Sequence, residues 1–152
     1  MKQITEDYVS FETAKLLKEK GFDVPTRFVW YEKLPYDLAI KPGTFNKPGI
    51  DLYFMSKTTE HNSLFDNKDK ADYIEGAVYS CSSQSLALKW LREVHNIYID
   101  ILTYTTGKNN QFRWVGYDKG RLFSQEEGKI IYFNSYEEAV EAAIKYTLEN
   151  LI

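Results

Sequence analysis

The stretch Ser82–Tyr104, SSQSLALKWLREVHNIYIDILTY, constrains the fold more than any other, because its apolar period changes from helical to extended with no linker between the two. In the first half Ala87, Trp90, Leu91 and Val94 recur at helical spacing and gather on one face, while Lys89, Arg92, Glu93 and Asn96 fall elsewhere. Ser82 or Ser83 is placed to cap this helix, since a serine oxygen there accepts from a first-turn amide that has no helical partner. From Ile97 the period is two. Ile97, Ile99 and Ile101 point one way and Tyr98, Asp100, Leu102 and Tyr104 the other, and β-branched isoleucine suits a pleated, half-buried surface. The isoleucine side is expected to meet the helix.

Toward the start, Ser10 caps a helix whose inner face is Ala14 and Leu17 with Val9 or Thr13, and Gly21 stops it with Phe22 folding back onto the last turn. RFVWYE, Arg27–Glu32, has the composition of a strand. Pro35, Pro42 and Pro48 break any helical pattern after it. IDLYFM, Ile50–Met55, reads as a second strand, the polar run Ser56–Asp72 as loop, and YIEGAVYS, Tyr73–Ser80, as a third strand leading into the central helix.

After the central unit, reversals at Gly107 and at Asp118–Gly120 flank the strand Phe112–Asp118. KIIYF, Lys129–Phe133, reads as the last strand, with RLFSQEEG between them as a short strand and turn or an irregular loop. Connections this short require antiparallel neighbours and a C-terminal β-meander, because a parallel crossover takes a dozen or more residues. Ser135 and Glu138 then form a capping box, and Val140, Ala143, Ile144, Thr147, Leu148 and Leu151 make one apolar stripe. The expected fold class is α+β: three helices, near 10–20, 83–95 and 136–150, packed on a mostly antiparallel sheet, in a single domain spanning 1–152.

Function classes are narrowed mainly by exclusion. No segment approaches the length of a membrane span, and charges occupy the opening MKQITEDYV where a signal peptide needs its apolar region. The expectation is a cytoplasmic protein. Lys and Arg are spread from Lys2 to Lys145 in a chain of net charge −3, which disfavours duplex DNA, whose binding needs a concentrated basic face. Cys81, the only cysteine, reads as a small, partly buried residue and not as a nucleophile. His61 and His95 share no face with metal-ligand partners at suitable spacing, so no metal and no cofactor is expected. Asp66, Asp69 and Asp72 lack the glycine and glutamate of a calcium loop, and Glu126 and Glu127 carry no acid/base signature by themselves.

The unusual number is the aromatic content, 16% with twelve tyrosines. If the isoleucines face the helices, Tyr98 and Tyr104 face away, and Tyr117 and Tyr132 join them from neighbouring strands. Tyrosine combines a rigid apolar body with a polar tip and is enriched in interface cores. The alternative is that residues 34–72 cover this face.

ITEDYVSFETAKLLKEKGFD, ALKWLREVHNIYIDI and SYEEAVEAAIKYTLENLI together resemble a group of small uncharacterised proteins carried by phages, prophages and mobile elements of Bacteroides-type gut bacteria. That resemblance implies a bacterial or phage setting and carries no activity with it. The leading expectation is a non-enzymatic protein-interaction module, acting on a protein partner or by self-association through Tyr98, Tyr104, Tyr117 and Tyr132. Behind it stand a binder of single-stranded nucleic acid, in which sheet aromatics stack bases, and a small hydrolase or nuclease, which converging carboxylates in a cleft would reveal.

Overall fold

A computed structural model describes residues 7–24, 26, 28–33, 49–54, 64–65, 76–124 and 129–152. In chain order the elements are α1 (Phe11–Glu19), β1 (Phe28–Lys33), β2 (Gly49–Phe54), β3 (Leu64–Phe65), β4 (Gly76–Cys81), α2 (Gln84–His95), β5 (Ile97–Thr106), β6 (Asn109–Asp118), β7 (Arg121–Phe123) and α3 (Tyr136–Asn150). The class is α+β, with three helices among the described residues, where the periodicities predict them. The strands, however, form two antiparallel sheets in place of one, ordered β2-β1-β4-β3 and β5-β6-β7. Their separation follows from the central unit. Helix α2 stands directly between β4 and β5, so the chain leaves one sheet at Ser82 and starts the other at Ile97.

The helix ends are set by local chemistry. Ser10, Ser83 and Ser135 each accept a hydrogen bond from a first-turn amide, of Thr13, Leu86 and Glu138 respectively. At the end of α1, the Gly21 amide bonds to the Lys18 carbonyl and the Phe22 amide to the Leu17 carbonyl, with Gly21 left-handed at φ 87°. This is a Schellman ending, and it buries Phe22 against Trp90, ring centroids 5.5 Å apart. Asn96, left-handed at φ 58°, ends α2 and turns the chain at once into β5.

All three helices contribute to one core: Ala14 and Leu17 from α1, Ala87, Trp90 and Leu91 from α2, and Val140, Ile144 and Leu148 from α3, joined by Val9, Phe22 and Ile97. Ile99 and Ile101 pack against it, so the isoleucine side of β5 does meet the helices. Two stripe members are not covered. Val94 is 61% exposed and Leu151 is also exposed. Val94 lies in the last turn of α2 and Leu151 just past the end of α3, and a residue is buried only where a facing layer continues as far as the stripe does.

The third strand of the C-terminal sheet is β7, and the expected strand Lys129–Phe133 is reduced to a single bridge. The edge of β6 is shared: Gly116, Tyr117 and Asp118 pair with Phe123, Leu122 and Arg121. Farther along, Phe112 exchanges both backbone hydrogen bonds with Phe133, at 2.9 and 2.7 Å. The β6–β7 hairpin closes because Lys119 and Gly120, the two loop residues, both adopt positive φ, matching the twist of the strands they join. Within the expected loop Ser56–Asp72, Leu64–Phe65 pair with Gly76–Ala77 as β3. The other residues of that loop lie outside those described.

Candidate functional site: the outer face of the C-terminal sheet

Side-chain alternation on β5 fixes two sides. With Ile97, Ile99 and Ile101 turned to the core, Tyr98, Asp100, Leu102 and Tyr104 occupy the opposite side. The register places Tyr117 opposite Tyr98, Val115 opposite Asp100, Arg113 opposite Leu102 and Gln111 opposite Tyr104. Leu122 on β7 stands beside Tyr117. Tyr132 reaches the face from the bridged segment, its ring 5.6 Å from that of Tyr104 at an interplanar angle of 84°. The Arg113 guanidinium lies 5.9 Å from the centre of the Tyr104 ring.

The four tyrosines expected to share a surface therefore stand on one face as two pairs, Tyr98 with Tyr117 and Tyr104 with Tyr132. All four are exposed, from 36% for Tyr117 to 49% for Tyr98. Leu102 is exposed between the pairs and Leu122 beside Tyr117, the latter at 61%. Val115, the small side chain of the middle row, is buried. Sequence reasoning did not assign Leu122 or Arg113 to the face. Their membership follows from the register, set by the two-residue turns at Gly107–Lys108 and Lys119–Gly120.

The proposal that residues 34–72 cover this face falls largely outside the described residues. The described parts of that segment, β2 and β3, belong to the other sheet.

Beneath the face a second aromatic cluster holds the sheet to α3. Trp114, Phe123 and Tyr146 meet at centroid separations of 5.2 to 6.3 Å. Gly116 is the residue that permits it. The Phe123 ring lies directly over it, and three ring carbons fall within 2.6 Å of where a Cβ would stand. Phe123 in this position turns Leu122, its neighbour on β7, outward.

The remaining chemistry-bearing residues have structural employment. Cys81 is buried, and burial pushes its thiol up to about 12, assisted by the nearby Glu141 carboxylate. Such a thiol is not a nucleophile near neutral pH. His95 packs its ring 4.5 Å from that of Trp90, and burial pulls its pKa below the ordinary value. Its Nε2 has no hydrogen-bond partner.

A shallow groove of about 580 Å³ runs past Asp7, Trp30, Phe133, Glu137, Glu138 and Glu141. Two of its four acids are held at helix starts, although the buried Glu141 Oε2 has no hydrogen-bond partner among the described residues. Glu141 accepts from the Ser10 amide and Glu138 from the Asn134 amide, at 3.0 and 3.2 Å. At its margin Lys145 donates to Glu12 at 2.9 Å, and that hydrogen bond, followed by the charge attraction, holds the Glu12 carboxyl below its ordinary value. Among the described residues no group of three or more His, Cys, Asp or Glu side chains is arranged to hold a metal ion, and no helix is long and apolar enough to cross a membrane. His61, Asp66, Asp69, Asp72, Glu126 and Glu127 lie outside the described residues. No protein family, curated protein or solved structure matches the chain.

Proposed function

We propose that this chain is a non-enzymatic protein-interaction module and that the outer face of its C-terminal meander is the binding surface. One observation carries the reading: four tyrosines and two leucines stand exposed together on the outer side of the three-stranded sheet and its bridged segment. With about 200 Å² as the area of one large side chain, their exposed fractions amount to on the order of 500 Å². That is at the upper end of what a monomer commonly leaves open, and patches of this size mark interaction sites. A cytoplasmic, phage-associated setting belongs to the same proposal and is supported by the sequence resemblance alone.

Binding of single-stranded nucleic acid is the competing use of such a face. The face carries one acid, Asp100, and one base, Arg113, in its middle rows, so it lacks the excess positive charge that tracks a phosphate backbone. The double variant Tyr98→Ser/Tyr117→Ser tests both. In dilute solution it should melt with the wild type, because surface side chains are removed, and neither protein should give saturable anisotropy changes with a labelled single-stranded oligonucleotide at physiological salt. A melting temperature lowered by several degrees would show the tyrosines to be core. Saturable binding abolished by the double variant would transfer the face to nucleic acid.

A further inference from the structure

The face has one property beyond being apolar: it is self-complementary. Asp100 on β5 and Arg113 on β6 occupy adjacent rows on a diagonal, with Leu102 and Val115 on the other diagonal of the same rectangle. Among the described residues neither Asp100 nor Arg113 forms an ion pair. The structural alternative, that the two satisfy each other within the chain, is therefore not realised. Resting on the reading of this face as a protein-binding surface, we infer that its occupant is a second copy of the chain, docked about a two-fold axis that sets Asp100 of each copy against Arg113 of the other.

The register dictates what such an axis does. Strands stand about 4.8 Å apart and same-side residues about 6.8 Å along a strand. An in-plane two-fold that exchanges the Asp100 and Arg113 positions must bisect the line joining them at right angles, which sets it within about 20° of the Leu102–Val115 diagonal. Leu102 then lies nearly on the axis and meets Leu102 of the other copy. The strands of the two sheets cross steeply, in the orthogonal class of sheet packing. Tyr98 and Tyr117 lie toward one side of this centre and Tyr104 and Tyr132 toward the other, which surrounds the ion pairs with rigid aromatic area.

The size fits as well. A standard interface takes about 800 Å² from each partner. The apolar residues supply more than half of that, and Asp100, Arg113 and Gln111 stand among them to add the polar share. An isologous contact needs one patch bearing both halves of each interaction, which an acid and a base on one diagonal provide.

Charge reversal tests the pairing in the full-length chain by sedimentation across a concentration series. The wild type should self-associate. Asp100→Arg and Arg113→Asp each set like charges across the interface and should raise the dissociation constant by about tenfold or more. The double reversal Asp100→Arg/Arg113→Asp restores opposite charges and should recover most of the loss. Leu102→Cys should form a disulfide-linked dimer on mild oxidation, Cys81 being buried, and this readout does not depend on the charge variants folding. A dimer indifferent to the single reversals, or not rescued by the double one, would overturn the inference and point to another surface, such as the free edge of β5. A wild type that stays monomeric at every soluble concentration would also overturn it. In that case an unchanged melting temperature for Tyr98→Ser/Tyr117→Ser leaves the face open to a different protein, whereas a lowered one removes the binding-surface reading too.

Discussion

Gly116→Ala adds one methyl group at a place where the structure has no room for it. The φ of Gly116 is not positive, so alanine is not strained by the backbone, and the effect isolates the contact with Phe123. The ring has two responses. If it stays, the added carbon overpacks the site, at a typical cost of about 1–3 kcal/mol. If it swings away, it gives up its contacts with Trp114 and Tyr146, at centroid separations of 6.0 and 6.3 Å, and two aromatic pairs are worth about 1–3 kcal/mol together. Either route predicts a loss of about 1–3 kcal/mol in urea unfolding. The double variant Gly116→Ala/Phe123→Ala distinguishes this contact from a general intolerance of β6. With the ring gone the added methyl meets nothing of it, so the double variant should be about as stable as Phe123→Ala alone, a clear departure from additivity. Gly116→Ala unfolding at the wild-type midpoint would refute the packing described here, and additive losses would refute its cause.

Other expected outcomes are simpler. Ile144 is fully buried in the shared core, so Ile144→Ala should cost about 2–5 kcal/mol in urea melts, while Ser135→Ala, which removes the α3 cap, should cost about 1 kcal/mol. NMR titration should find the His95 imidazole ionising below the ordinary value of about 6.5. A folded pKa below the unfolded one means that this contribution to stability is present above the unfolded pKa and lost as pH falls, so His95→Gln should lessen the acid sensitivity between neutral pH and mildly acidic pH. Cys81 should be inert to a thiol reagent at pH 8 until the chain is unfolded, and rapid modification of the native protein would contradict its burial.

Much of the fold is legible in the sequence where a local rule and a long period coincide. The capping box at Ser135 and Glu138, the helical stripe behind it and the Gly21–Phe22 ending all depend on residues within a few positions of one another. The isoleucine alternation from Ile97 likewise gives the correct inner side of β5. What escapes the sequence is set at long range. Whether β1 and β4 join β5 and β6 in one sheet depends on how α2 packs, not on any strand's composition. Composition alone favours KIIYF as the last strand, because it is richer in strand formers than RLF, yet RLF follows a two-residue turn and claims the edge of β6 first. On the candidate face, the side occupied by Tyr98 and Tyr104 is legible from alternation. Tyr132 is expected on that side as well, but its ring contact with Tyr104 is not legible, since it hangs on the single Phe112–Phe133 bridge.

Nitration of tyrosine, mapped by peptide mass spectrometry at several protein concentrations, tests the central claim most directly. Tyr98, Tyr104, Tyr117 and Tyr132 should react readily in dilute protein and become protected together as concentration rises, while exposed Tyr136, outside the proposed interface, should react alike throughout. Protection of the four tyrosines that is already complete in dilute protein would contradict an exposed binding face, and reactivity that never changes with concentration would contradict its closure by a second copy.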